Sequence, residues 1–118
     1  MAYDKENIFA KIIRGEAPAT KVFENDDAVV IANLYPKARL HLLAMPKGEY
    51  RDFTDFEDRA TGQEKLGLMS AIGEAIRSHG LANEGYRLVM NTGVNGGQSV
   101  PHFHVHILGK EKLDTFGL

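Results

Sequence analysis

Within the segment PHFHVHILG, residues 101–109, polar and apolar side chains alternate from His102 to Ile107. His102, His104 and His106 occupy one register, and Phe103, Val105 and Ile107 the other. That period of two belongs to a β-strand, in which alternate side chains share a face about 6.5–7 Å apart. The apolar register reads as core, so the three imidazoles are expected to look out into a cleft or solvent. Three of the chain's five histidines lie on this one face. A chance polar face rarely collects three.

The remaining elements follow from the same kind of pattern. Ile8, Phe9, Ile12 and Ile13 have helical spacing within residues 5–14, and Gly15 and Pro18 supply the stop. TKVFEN and AVVIANL, separated by Asp26 and Asp27, read as a hairpin, and LHLLAM as a third strand closed by Pro46. Between Thr61 and His79, the residues Leu68, Met69, Ile72, Ala75 and Ile76 share one arc of a long helix that Gly80 ends. His79 is expected to serve the last carbonyls of that helix. GYRLVMN and HFHVHIL then form two more strands around the glycine-rich loop TGVNGGQSVP. The expectation is one α+β domain over residues 1–118, with a five-stranded, mostly antiparallel sheet and two helices.

Composition narrows the chemistry. With 118 residues, 43% hydrophobic and 25% charged, the chain has the make-up of an ordinary globular domain that buries roughly two-thirds of its unfolded surface. A net charge of −2 argues against bulk attraction to nucleic acid or to an anionic membrane. The absence of cysteine excludes disulfides, thiolate catalysis and thiolate-ligated zinc. The charged N-terminal stretch and the lack of any long apolar run point to the cytoplasm.

Two chemistries compete for the histidine face. Two imidazoles at this spacing, with His41 as a further ligand, are able to chelate zinc. Alternatively, a neutral imidazole attacks phosphorus while protonated neighbours bind phosphate oxygens or protonate a leaving group. The adjoining stretch NTGVNGGQSV favours phosphate. Gly93, Gly96 and Gly97 allow sharp turns that present N–H groups to an anion, and Gln98 and Ser99 add neutral donors. By itself that loop reads as a flexible hairpin connection. It has neither a Walker A pattern nor a dinucleotide fingerprint.

These residues resemble the histidine triad (HIT) superfamily of nucleotide hydrolases and transferases, whose motif alternates histidine with apolar residues as HFHVHIL does. NIFAKIIRGEAP, HLLAMPK and GYRLVMNTGVNGGQSVPHFHVHILG are similar to the corresponding stretches of the Hint-like, nucleoside phosphoramidase branch. The resemblance implies a homodimer that hydrolyses conjugates of purine nucleotides (AMP, GMP) at the α-phosphate through a nucleotidyl-histidine intermediate, with no metal or other cofactor. It implies His104 as nucleophile, His106 at the phosphate and leaving group, and His102 fixing the tautomer of His104 through its backbone carbonyl. His41 matches an additional histidine from an earlier strand, and Ser99 is a second candidate acid. Asn33, Asn91, Gly97, Gln98 and Ser99 are implied on the ribose and phosphate. Ile8, Phe9, Ile12, Ile31 and Leu34 are implied as walls of the base pocket, although Ile8, Phe9 and Ile12 also read as a core-facing stripe.

Three departures bear on specificity. Asn33 stands where Hint relatives carry aspartate, offering one carbonyl acceptor and no charge to the ribose. Arg39 replaces a common proline and brings positive charge toward His41, and the tail EKLDTFGL lacks the tryptophan of some relatives. The alternatives that stay open are a dinucleoside polyphosphate hydrolase and a nucleotide-binding regulator with little turnover.

Overall fold

The computed structural model describes residues 2–115, so the last three residues of the tail lie outside it. The chain folds as α1 (Ile8–Ile13), β1 (Lys21–Glu24), β2 (Ala28–Ala32), β3 (Leu40–Pro46), α2 (Phe53–Arg59), α3 (Gly62–Ser78), α4 (Leu81–Glu84), β4 (Tyr86–Met90) and β5 (Val105–Gly109). The strands form one sheet in the order β1-β2-β3-β5-β4, with every pairing antiparallel. Asn25 turns the first hairpin by accepting the N–H groups of Asp27 and Ala28 on its side-chain oxygen.

Alternation along the central strands divides the apolar side chains between two faces. Ala28, Val30, Leu42, Ala44, Val105 and Ile107 pack under α3 against Leu68, Ala71, Ile72, Ala75 and Ile76. Val29, Ile31, Leu43 and Met45 face the other way, where short α1 covers them with Phe9 and Ile12. An α-helix rises only 1.5 Å per residue, so six residues cannot roof a five-stranded sheet. The uncovered part of that second face becomes the cleft.

α3 starts where its sequence predicts. Thr61 accepts the Glu64 N–H and Glu64 accepts the Thr61 N–H, a reciprocal capping box. At the other end His79 Nδ1 lies 2.8 Å from the Ala75 carbonyl, as expected of a residue serving the last turn. One expectation for this helix fails: Met69 is 66% exposed, and Ala71 takes the buried position.

Two helices were not anticipated. α2 is capped by Asp52, which accepts the Asp55 N–H. α4 is one turn between Gly80 and Gly85, whose φ angles of 69° and 94° suit glycine. The strand expected from His102 begins only at Val105. Upstream of it, Phe103 donates its N–H to the Tyr50 carbonyl and His102 donates its own to Val100, so neither bonds to the sheet ladder.

Replacing Thr61 with alanine should remove the capping box and cost about 1 kcal/mol, read as a lower urea midpoint at unchanged slope.

Candidate active site

His104 is the innermost histidine that reaches the cleft. Its Nδ1 lies 2.7 Å from the His102 carbonyl. A carbonyl only accepts, so Nδ1 carries the proton and Nε2 keeps a free lone pair. Among the described residues no buried side-chain nitrogen or oxygen lacks a partner, so the unpartnered Nε2 must reach the cleft that His104 lines. Burial lowers the basicity of His104, against the smaller opposing effect of the His102 carbonyl. Phe9 stacks edge-on at 4.9 Å. The result is a neutral, oriented imidazole.

His102 does not look into cleft or solvent as its register suggests. It is completely buried, with Nε2 donating to the Pro46 carbonyl at 2.8 Å and Nδ1 accepting from the Tyr3 hydroxyl at 2.6 Å. Burial drives its pKa down to about 4. Its contribution to the cleft is therefore its carbonyl.

The other two histidines form a chain of defined proton positions. The Lys37 N–H donates to His41 Nδ1 at 2.9 Å, so the His41 proton sits on Nε2. That Nε2 is 2.8 Å from His106 Nδ1, which must accept, leaving the His106 proton on its own Nε2. Burial, then electrostatic competition with the neighbouring His104 and His41 for a proton, pushes His106 to about 4, and burial followed by the Lys37 charge lowers His41. The nearby charge that His41 feels is therefore Lys37, not Arg39; Arg39 donates its N–H to Glu111. The standing imidazolium expected from sequence is corrected as well: the site is neutral and presents an N–H donor beside a lone pair.

The glycine-rich loop differs from its expected role. The N–H groups of Gly96, Gly97 and Gln98 bond to the carbonyls of Thr92, Val94 and Gly93, and the Gly93 N–H bonds to Gln98 Oε1. Gly93 and Gly97 have φ angles of 64° and 73°, so the loop turns where expected, but these donors close it upon itself. Gln98 Nε2 donates to the carbonyls of Arg51 and Val100, and Asn91 Nδ2 to Gly96. Ser99 differs from its neighbours, because neither its N–H nor its hydroxyl takes a partner among the described residues.

The cleft encloses about 340 Å³. It brings together His104, His106, Ser99, Asn33, Ile8, Phe9, Ile12, Ile31 and Leu34 of the expected residues; His41, His102, Asn91, Gly97 and Gln98 are not part of its lining. Phe9 and Ile12 are buried wall and core at once, whereas Leu34 is an exposed rim. Asn33 directs Oδ1 to the Tyr35 N–H at 3.2 Å and holds Nδ2 within 3.3 Å of both His41 ring nitrogens. Sequence reasoning missed Pro18, Thr20, Tyr35 and Val100 in the lining, and Tyr3 behind it. In sequence Pro18 signals only a helix stop, and Tyr3 carries no local signal, being 99 residues from its partner. Among the described residues no three His, Cys, Asp or Glu side chains are grouped to hold a metal ion.

The HIT domain family profile matches residues 14–113. The chain belongs to the HIT family. It is 44% identical over 111 residues to an uncharacterised HIT-like protein of Azospirillum brasilense, covering 94% of this chain and 91% of that one. It is 37% identical over 110 residues to the purine nucleoside phosphoramidase of Escherichia coli, covering 92% and 91%. Among solved structures, a histidine triad protein from Clostridium difficile superposes with a TM-score of 0.85 at 33% identity, covering 98% of this HIT protein and 99% of the other. Among the described residues no helix is long and apolar enough to cross a membrane.

The depressed histidines set an acid limit on stability. Unfolded His102 and His106 bind protons near the ordinary histidine pKa of about 6.5, while the folded forms wait until about 4. The unfolded chain thus holds more protons in that window, so stability is present above pH 6.5 and is lost as pH falls toward 4. Urea unfolding at pH 5 should show a loss on the order of 1–2 kcal/mol per histidine relative to pH 7.

Proposed function

We propose that this HIT protein is a hydrolase that cleaves purine nucleoside 5′-phosphoramidates at the α-phosphorus. The observation that supports this best is the lone pair of His104 Nε2 set beside the N–H of His106 in one apolar-walled cleft. Ile8, Phe9, Ile12, Ile31 and Leu34 form the pocket for the purine of AMP or GMP conjugates, and about 340 Å³ lies within the ~300–1,000 Å³ usual for small-molecule sites.

In the first step His104 Nε2 forms a bond to phosphorus as the bond to the leaving nitrogen breaks. The departing amine takes a proton from the Ser99 hydroxyl or from His106, which acts as the acid in the imidazolium form favoured by the negative charge of the bound phosphate and returns to neutral on donation. Water then attacks the phosphohistidine, releases the nucleoside monophosphate and returns the proton to the acid. Developing charge on the phosphoryl oxygens is met by the unpartnered donors of Ser99. Asn91, Gly97 and Gln98 serve the phosphate by holding the loop that carries Ser99. His41 keeps the His106 proton on the cleft side. No step calls for a metal.

Asn33 supports a second reading, hydrolysis of dinucleoside polyphosphates, because its carbonyl is tied to Tyr35 and it offers no anionic acceptor to a ribose. Both activities fit a cytoplasmic enzyme. We also propose a homodimer joined along β4. That edge strand exposes Tyr86, Leu88 and Met90, and Leu66 and Met69 of α3 are exposed as well.

The deciding experiment is turnover of adenosine 5′-phosphoramidate and of diadenosine polyphosphate by metal-stripped protein. Native enzyme should release AMP from the phosphoramidate, and His104→Ala should lose at least ~10³-fold in kcat while still binding AMP. Native-like turnover by His104→Ala would remove the nucleophile assignment, and activity confined to the polyphosphate would favour the second reading. Sedimentation velocity should give twice the chain mass, and Met69→Glu should reduce it to the monomer.

A further inference from the structure

We infer that Tyr3 is a positioning residue of the active site, acting on the nucleophile through His102. The inference rests on His104 being the nucleophile. His104 owes its tautomer to one acceptor, the His102 carbonyl at 2.7 Å. That carbonyl lies outside the sheet, since β5 begins only at Val105 and no ladder bond fixes residue 102. Something else must hold it in place.

Three contacts do so. The His102 N–H donates to the Val100 carbonyl, its Nε2 donates to the Pro46 carbonyl at the end of β3, and its Nδ1 accepts from the Tyr3 hydroxyl at 2.6 Å. The phenol ring meets the imidazole edge-on, with centroids 5.7 Å apart. The two ring bonds reinforce each other. A proton on Nδ1 would forfeit the Tyr3 bond as an acceptor site and leave Nε2 facing the Pro46 oxygen with no proton to give. With Tyr3 donating, only the Nε2–H form satisfies both partners, and the ring, its backbone and its carbonyl share one position. Burial pushes the Tyr3 hydroxyl above its ordinary pKa, so it keeps its proton throughout the neutral range. The segment that carries Tyr3 is itself pinned, by Asn7 Nδ2 to the Asp4 carbonyl and by Arg14 to the Lys5 carbonyl.

Tyr3 touches neither the cleft nor any reacting atom, so its removal should act on rate rather than binding. Tyr3→Phe deletes the hydroxyl and keeps the ring. We expect kcat on adenosine 5′-phosphoramidate to fall about tenfold, with KM and AMP affinity within twofold of native. Tyr3→Ala should match Tyr3→Phe in kcat, because the hydroxyl and not the ring carries the effect. Long-range ¹H–¹⁵N spectra of the imidazoles should show His104 as a single Nδ1–H tautomer in native protein and as a mixture in Tyr3→Phe. An unchanged kcat or tautomer in Tyr3→Phe overturns the inference, as does a kcat loss matched by an equal loss of AMP affinity. Should Tyr3→Phe not fold, the native spectrum decides, since His102 in any form other than Nε2–H is incompatible with the clamp. The spectra also separate the two claims: a native protein inactive on the phosphoramidate, with tautomers as stated, refutes the substrate and leaves the clamp intact.

Discussion

The hydrogen bond from His104 Nδ1 to the His102 carbonyl is the contact around which the site is arranged. An imidazole in water exchanges tautomers freely and is protonated near neutral pH, and either event would blunt a nucleophile. Burial deals with the charge, and one carbonyl with the tautomer. The lone pair is left on the nitrogen that faces the cleft. A second such chain, from Lys37 N–H through His41 to His106, performs the opposite task by leaving a proton there. Two imidazoles whose rings lie 5.1 Å apart thus differ in role without differing in charge.

These roles depend on how the sheet is covered. α3 covers the centre of one face, while six-residue α1 leaves part of the other face open. His41 on β3 and His106 on β5 sit on that open face, across adjacent strands. The loop that brings Ser99 to them is fastened by Gln98 to the Arg51 carbonyl. Arg51 is in turn held by buried Asp55, whose carboxyl the Arg59 hydrogen bond pulls down to about 2. The short helix α2 is remote from the chemistry but anchors the loop that serves it.

Much of this could be read from the chain. The alternation at residues 102–107 sorted Phe103, Val105 and Ile107 into the core correctly, and the apolar arc between Thr61 and His79 placed α3. The cleft walls Ile8, Phe9, Ile12, Ile31 and Leu34 followed from family resemblance. The failures share a cause. α2 and α4 are too short for periodicity to register, and Met69 lies at the edge of the apolar arc, where packing rather than angle decides burial. The loop donors failed because a glycine-rich turn consumes its own N–H groups, which composition does not reveal.

By itself, the sequence determined the strand that carries His106, the helix that covers one face of the sheet, and the absence of thiol chemistry, since these depend on residue type and local period. Only the tertiary structure decided the protonation pattern. Which nitrogen of His41, His102, His104 or His106 holds a proton depends on partners as distant as Tyr3 and Pro46, and a carbonyl or hydroxyl takes its place only when the chain has closed. Burial, which keeps all four rings neutral, is likewise a property of the packed molecule, and no stretch of residues has it alone.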